Sequence, residues 1–219
     1  MTEDLTSIGV PGRGSVAALR SEPDGAATGC WLLYAPGAGS NVRDPFGAFL
    51  AGELAQRGIA TLRFQFPYME EHRRTPDRPP VLEATWRAAI EAARPRASRL
   101  VVSGRSMGGR IASQVVAQGA PVDGLALFAY PLHPPGRPDR ARDEHLGRLT
   151  VPSLFCSGTN DAFGAPDELE ATASKVVGSS LHLLEGADHG FAVRKASARS
   201  RQDVWAEAVA AFLDWLGPL

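Results

Sequence analysis

Ser106, Asp161 and His189 are the residues of this 219-residue chain whose types and order could do covalent chemistry. A serine hydroxyl is a poor nucleophile near neutral pH. It needs a general base to take its proton, and a carboxylate to orient that base. Ser106 stands in "VVSGRSMGGR" (101–110), between Gly104 and Gly108 and straight after a short apolar run. Gly-x-Ser-x-Gly alone is a weak signal. It becomes specific when a strand precedes it and a helix follows, because the serine then sits on a strained turn where flanking bulk would clash with both elements. Here the strand is expected to end at Ser103 or Gly104 and the helix to begin at about Met107. Asp161 follows the apolar run "SLFCSG", and His189 follows the last such run, in "LEGADHGF". Both are therefore expected at strand carboxyl ends, in the chain order Ser, Asp, His that accompanies such a turn. The plainer readings are a turn aspartate in Thr159-Asn160-Asp161 and a surface histidine at 189. Asp188 is the rival acid, but an immediate sequence neighbour cannot easily reach Nδ1 of the base.

Attack on a carbonyl creates an oxyanion, which preorganised backbone N–H groups stabilise. Met107, directly after the nucleophile, is one expected donor. Ala38, in "PGAGSN" (36–41), is the other, with Gly37 and Gly39 leaving the backbone open to substrate; the plainer reading is a glycine turn joining strand to helix. The same segment lacks the spacing and lysine of a phosphate-binding loop. Tyr68, in "FPYM", and residues of 131–148, including His133 and His145, are expected to line or rim a substrate pocket. Arg105, beside the nucleophile, has two readings: a partner for a substrate carboxylate, or half of a structural ion pair. His72 and His182 read as structural or exposed. No histidine has metal-ligand spacing with Cys or carboxylates, so neither a metal nor another cofactor is expected.

These residues need a scaffold that brings strand ends together. Short apolar runs at 30–36, 59–67, 100–104, 124–130, 153–158 and 180–186 are bounded by Gly and Pro, as buried parallel strands are. Between them lie helical patterns. Phe46, Phe49, Leu50 and Leu54 share a face behind a possible N-cap at Asp44 and Pro45 at the first helical position. Leu82, Trp86, Ala89, Ile90 and Ala93 repeat the pattern, and further helices are expected at 107–118, from about Pro166, and over Val204–Trp215. Strands alternating with helices give an α/β fold with a mainly parallel sheet covered on both faces. The long connection 131–152, rich in Pro and mixed charge, leaves a strand at the ligand-binding end and could border a site.

The chain is long enough for one sizeable core and short for two, so one domain over 1–219 is expected, with 1–13 as a flexible N-terminus. Its 44% hydrophobic and 21% charged content is that of an ordinary globular protein. A net charge of -1 argues against a nucleic-acid partner. No uncharged apolar run approaches the ~20 residues that span a bilayer, and the acidic, polar start has no signal-peptide h-region, so neither a membrane nor an export role is expected. Cys30 and Cys156, each within an apolar run, read as buried reduced thiols suited to a cytoplasmic protein.

Taken together, "APGAGS" (35–40), "LRFQFPYME" (62–70), "GRSMGGR" (104–110), "YPLHPPGRP" (130–138), "GTNDAFG" (158–164) and "ADHGF" (187–191) resemble the α/β-hydrolases. The nearest likeness is to the small branch of dienelactone-hydrolase-like and testis-expressed-protein-30-like members. The resemblance covers about residues 30–215. It implies an α/β-hydrolase fold of about seven or eight strands without a large cap domain, and the triad Ser106, Asp161 and His189. The substrate expected is a small-molecule ester or thioester, although a peptidase or amidase would use the same machinery. "APGAG" replaces the "HGGG" of many esterases, which leaves the second oxyanion donor open. The alternative function is a non-catalytic binding or scaffold protein on the same fold, which would carry a degraded triad. Oligomeric state and physiological substrate are not legible.

Overall fold

The computed structural model describes residues 1–218. Its eight-stranded sheet has the order β1-β2-β4-β3-β5-β6-β7-β8. The strands are β1 (Thr2–Val10), β2 (Gly14–Glu22), β3 (Cys30–Ala35), β4 (Ala60–Phe64), β5 (Arg99–Arg105), β6 (Gly124–Phe128), β7 (Ser153–Gly158) and β8 (Ser179–Leu184). From β4 through β8 every neighbouring pair is parallel, while β1–β2 and β2–β4 are antiparallel. This is the α/β-hydrolase architecture expected, and no cap domain interrupts it.

Among the described residues six helices cover the sheet: α1 (Pro45–Ala55), α2 (Pro67–Glu70), α3 (Pro79–Ala93), α4 (Met107–Ala117), α5 (Pro166–Ala173) and α6 (Arg201–Leu216). One face of the sheet packs on α3, α4 and α5 through a core that includes Trp86, Ile111, Val115, Phe155 and Leu169. The other packs on α1 and α6 through Phe46, Leu50, Phe128, Val204 and Phe212. Strands β3, β4, β6 and β7 are buried along their whole length, which is why they read as unbroken apolar runs. Every one of those parallel strands points its carboxyl end at the same rim, and the loops on that rim carry the candidate site.

The expectation of a flexible segment at 1–13 does not describe this structure. Residues 2–10 form an edge strand in register with β2, closed by a turn in which Arg13 N–H donates to Val10 O at 3.0 Å. Only Ile8 and Val10 of β1 are buried, so the strand leaves no apolar run to read. Backbone pairing holds it, helped by Arg20 Nη2 to Asp4 (3.0 Å) and by the ion pair of Glu3 with the buried Arg63. Among the described residues no helix is long and apolar enough to cross a membrane. Cys30 and Cys156 are buried and unpaired.

Candidate active site

β5 runs directly into Ser106, and α4 begins at the next residue. Ser106 has φ 52° and ψ -120°, a left-handed backbone conformation that costs a non-glycine residue of order 1–3 kcal/mol. The surroundings hold it there. Ser106 N–H donates to Phe128 O at 2.9 Å, and Trp86, fully buried on α3, donates its Nε1–H to Gly108 O at 3.1 Å. A Cβ at Gly104 would stand 2.5 Å from Gly109 N, and one at Gly108 would stand 2.3 Å from Ala35 O. Strand β3, helix α4 and the turn thus close on one another only because both flanking residues are glycine.

The carboxylate and the imidazole arrive from the ends of β7 and β8. These two loops are stitched together: Asn160 N–H donates to Ala187 O (2.9 Å), and Gly186 N–H donates to Thr159 Oγ1 (2.8 Å). Gly158 permits the approach, since a Cβ there would lie 2.1 Å from Ala187 O. The result places His189 Nδ1 2.8 Å from Asp161 Oδ2 and His189 Nε2 2.8 Å from Ser106 Oγ. A carboxylate only accepts hydrogen bonds, so the imidazole proton sits on Nδ1 and Nε2 is left to accept from the Ser106 hydroxyl. Asp161 is almost fully buried and also accepts from Phe163 N–H at 2.8 Å, whereas His189 keeps a solvent-facing edge. The rival Asp188 is spent elsewhere: it accepts from Gly190 N–H and Ala192 N–H, both at 2.8 Å, and shapes the turn that carries His189.

Beside the serine lies a cavity of about 490 Å³. The loop after β3 lines it with Gly37, Ala38, Gly39 and Ser40, the loops after β7 and β8 with Phe163, His189 and Gly190, and the end of β5 and its turn with Arg105 and Ser106; Arg201 and Trp205 contribute from α6. Phe163 stacks on the His189 ring, with centroids 4.1 Å apart. Among the described residues neither the Met107 nor the Ala38 N–H has an intramolecular acceptor. Gly37 and Gly39 are not demanded by the protein's own packing: a Cβ would lie 3.5 Å from Ser106 Cβ at Gly37 and in open space at Gly39. Small residues there keep free the volume in front of Ser106.

Arg105 does not extend freely into the cavity. Its Nη1 stands 3.7 Å from Asp44 Oδ1, and its guanidinium lies 5.9 Å above the Phe191 ring. Asp44 is buried at the head of α1, where it accepts from Tyr34 Oη (2.6 Å), Ser40 Oγ (3.0 Å) and Gly47 N–H (3.0 Å). Burial and the adjacent Asp44 charge push the Tyr34 hydroxyl well above its ordinary range. Of the two readings of Arg105, the geometry matches the ion pair.

Three residues expected at the pocket are not on its walls. Tyr68 is buried, with its hydroxyl donated to Ala38 O at 2.8 Å. His133 is held between Pro134 O (2.8 Å) and Glu168 (3.0 Å), which together raise its pKa. His145 is buried against Ser113 on α4 at 2.7 Å. The 131–152 connection does not line the cavity: its first 3-10 turn (Pro138–Arg140) is exposed, and its second (Leu146–Arg148) packs inward through Leu146 against α4. Conversely, Phe163, Asp44, Arg201 and Trp205 were not anticipated at the site. Phe163 is two residues from Asp161 and could have been placed with it. Arg201 and Trp205 reach the site only through the packing of α6, which leaves no local signal. Among the described residues no group of three or more His, Cys, Asp or Glu side chains could hold a metal ion.

Residues 28–217 match the family model described as an alpha/beta hydrolase domain, and the chain belongs to that family. Its structure is similar to that of an alpha-beta serine hydrolase homologue from Coxiella burnetii, with a TM-score of 0.78 and 18% identity over 97% of this chain and 99% of that one. It is also similar to a dienelactone hydrolase from Anabaena variabilis (TM-score 0.74, 20% identity, 96% of each chain). A third similar structure is a serine hydrolase without a lid from Xanthomonas campestris (TM-score 0.76, 18% identity, 100% of this chain and 97% of that one). Identities this low carry the fold alone.

Proposed function

We propose that this chain is a serine hydrolase that cleaves a small carboxylic ester or thioester through an acyl-enzyme. Ser106 Oγ attacks the carbonyl carbon as its proton passes to His189 Nε2, and the carbonyl π pair moves onto oxygen. Met107 N–H and Ala38 N–H receive that oxyanion; a donor of this kind is worth about 3–4 kcal/mol of barrier. Asp161 holds the imidazolium in place. Collapse of the tetrahedral species expels the alcohol or thiol, which takes the proton from His189 as it leaves. Water then repeats the sequence on the acyl-enzyme, with His189 as base, and frees the acid and Ser106.

The observation that carries this reading is the unbroken contact chain from Ser106 Oγ through His189 to Asp161, at 2.8 Å in each link. The cavity's size, near the lower half of the range for small-molecule sites, favours a small substrate. The test is labelling with a fluorophosphonate, read by intact mass and peptide mapping, beside Ser106→Ala. A stoichiometric adduct on Ser106, absent from the variant, supports the reading and opens a screen of nitrophenyl esters and thioesters from acetyl upwards. Folded protein that takes no adduct would move the chain to the binding-module alternative.

A further inference from the structure

The segment 62–70, "LRFQFPYME", contributes nothing to the cavity wall, yet it touches the loop carrying Ala38 at both ends. At the near end, Tyr68 Oη donates to Ala38 O at 2.8 Å. At the far end, Gln65 Oε1 accepts from Val42 N–H at 3.1 Å, and Arg63 Nη1 reaches Val42 O at 3.5 Å. These side chains are themselves fixed. Gln65 Nε2 donates to Glu70 at 2.7 Å, Glu70 accepts from Ala17 N–H at 2.8 Å, and Tyr68 N–H donates to Asp77 at 2.8 Å. The Tyr68 ring is 1% exposed and lies stacked with Phe66.

The loop needs such bracing. Residues 36–41 have neither helix nor strand, and Ala38 sits between two glycines whose dihedrals are the freest of any residue. An oxyanion donor works only if it already points at the place where charge will develop, since reorienting a peptide during the reaction forfeits most of the gain. We propose that Tyr68 is a positioning residue for the oxyanion hole: the Ala38 N–H lies on the Gly37–Ala38 peptide, whose carbonyl accepts from Ser40 N–H at 3.1 Å, and the Tyr68 hydroxyl, given to the Ala38 carbonyl, pins the peptide that follows, so that Ala38 does not turn about its own φ and ψ and its N–H stays aimed toward the carbonyl oxygen above Ser106. The hydroxyl suits a permanent donor, because burial and then the nearby Asp77 charge raise its pKa to about 12 and keep it protonated. Gln65 secures the other end of the same loop.

This role rests on the hydrolase reading, and the experiment separates the two. Wild type and Tyr68→Phe are titrated with a fluorophosphonate to count active sites, and turnover of nitrophenyl acetate is expressed per titrated site. The phenyl ring keeps the packing and removes only the donor. The expected result is a fall in kcat of about tenfold with KM held within about twofold, a fraction of the loss for deleting a donor outright. Binding of a trifluoromethyl ketone, whose tetrahedral adduct places an oxyanion in the hole, falls by the same factor. Gln65→Met, which frees the far end, gives the same pattern at about threefold. A merely structural tyrosine would lower the number of titratable sites and leave kcat per site and ketone affinity unchanged in both variants, which overturns the proposal. Wild-type protein that neither labels nor turns over any ester overturns the hydrolase reading and this role with it.

Discussion

Two serine–histidine pairs stand in this chain at nearly the same separation, Ser106–His189 at 2.8 Å and Ser113–His145 at 2.7 Å, and both serines belong to one strand–turn–helix unit. Their chemistry differs because the protons run in opposite directions. Ser113 lies within α4 and donates its hydroxyl to Arg110 O at 2.7 Å, so it has only a lone pair to offer, and His145 Nε2 must donate. Ser106 has no carbonyl to donate to, and His189 Nε2 is left as acceptor because Asp161 claims the proton on Nδ1. One pair is a structural clamp between α4 and the 131–152 connection. The other has the geometry that the proposed nucleophile and base require. Proximity of serine to histidine is shared; the orienting carboxylate and the strained turn are not.

The largest effect should come from making the Ser106–His189 pair resemble the Ser113–His145 pair. Asp161→Asn keeps the size of the side chain but lets the amide donate, which turns the imidazole proton toward Nε2. Turnover of an activated ester should fall about 10⁴-fold with the fold intact. Deleting Ser113 should not touch turnover per titrated site. A loss of only a few fold in Asp161→Asn would mean that the carboxylate does not set the tautomer.

Acid separates the two histidines next. Burial first, and then the neighbouring Arg148 and Arg110 against the single opposing Asp143, lower the pKa of His145 from 6.5 to about 4. The folded state therefore favours neutral His145, and stability attached to it is complete above pH 6.5 and is lost as pH falls toward 4, because the unfolded chain binds the proton first. The whole interval is worth up to about 3 kcal/mol. Urea midpoints measured between pH 4 and 7 should drop less steeply in His145→Gln than in wild type. Parallel curves would remove His145 as the cause.

Ser113→Ala should then cost about 1–3 kcal/mol at neutral pH, because it strands the His145 N–H in a buried site. Thermal melts read this, and kcat per titrated site should stay at the wild-type value. If turnover fell instead, the two pairs would be coupled through α4, whose first turn carries the Met107 N–H.

What was legible in the sequence follows the same division. The positions of Ser106, Asp161 and His189 could be read because each follows the carboxyl end of a strand, β5, β7 and β8, and local pattern with chain order was enough to put all three on one rim. The six parallel strands β3 to β8 and five of the helices were readable because burial on one or both faces, or along one stripe, leaves an apolar signature. β1 and β2 were not, because an antiparallel pair at the edge of the sheet, held by backbone pairing and surface ion pairs, needs no unbroken apolar run. His133 and His145 were placed near the pocket because their connection leaves the catalytic rim. Whether such a connection turns over the site or inward is decided by contacts such as Ser113–His145 and His133–Glu168, which join residues 32 and 35 positions apart. Tyr68 was expected to face substrate, and the same aromatic side chain is instead turned one layer deeper, onto the backbone that faces it.

The smallest effect tests what surrounds each imidazole. The flat face of His189 is covered by Phe163, at 4.1 Å and 29° between planes, and among the described residues His145 has no aromatic neighbour of this kind. Stacked aromatic pairs contribute about 0.5–1.5 kcal/mol beyond the area they bury. Phe163→Leu keeps an apolar wall but lets the imidazole rock between Asp161 and Ser106, so kcat should fall about two- to tenfold. Adduct stoichiometry should be unchanged, because the wall still shields the base, and labelling should slow by the same factor as turnover. An equal rate in the variant would assign the orientation of His189 to Asp161 alone. A fall far beyond tenfold would mean that the phenyl ring also contacts the acyl group, which a series of esters of increasing acyl length would separate, since only contact with substrate makes the loss depend on length.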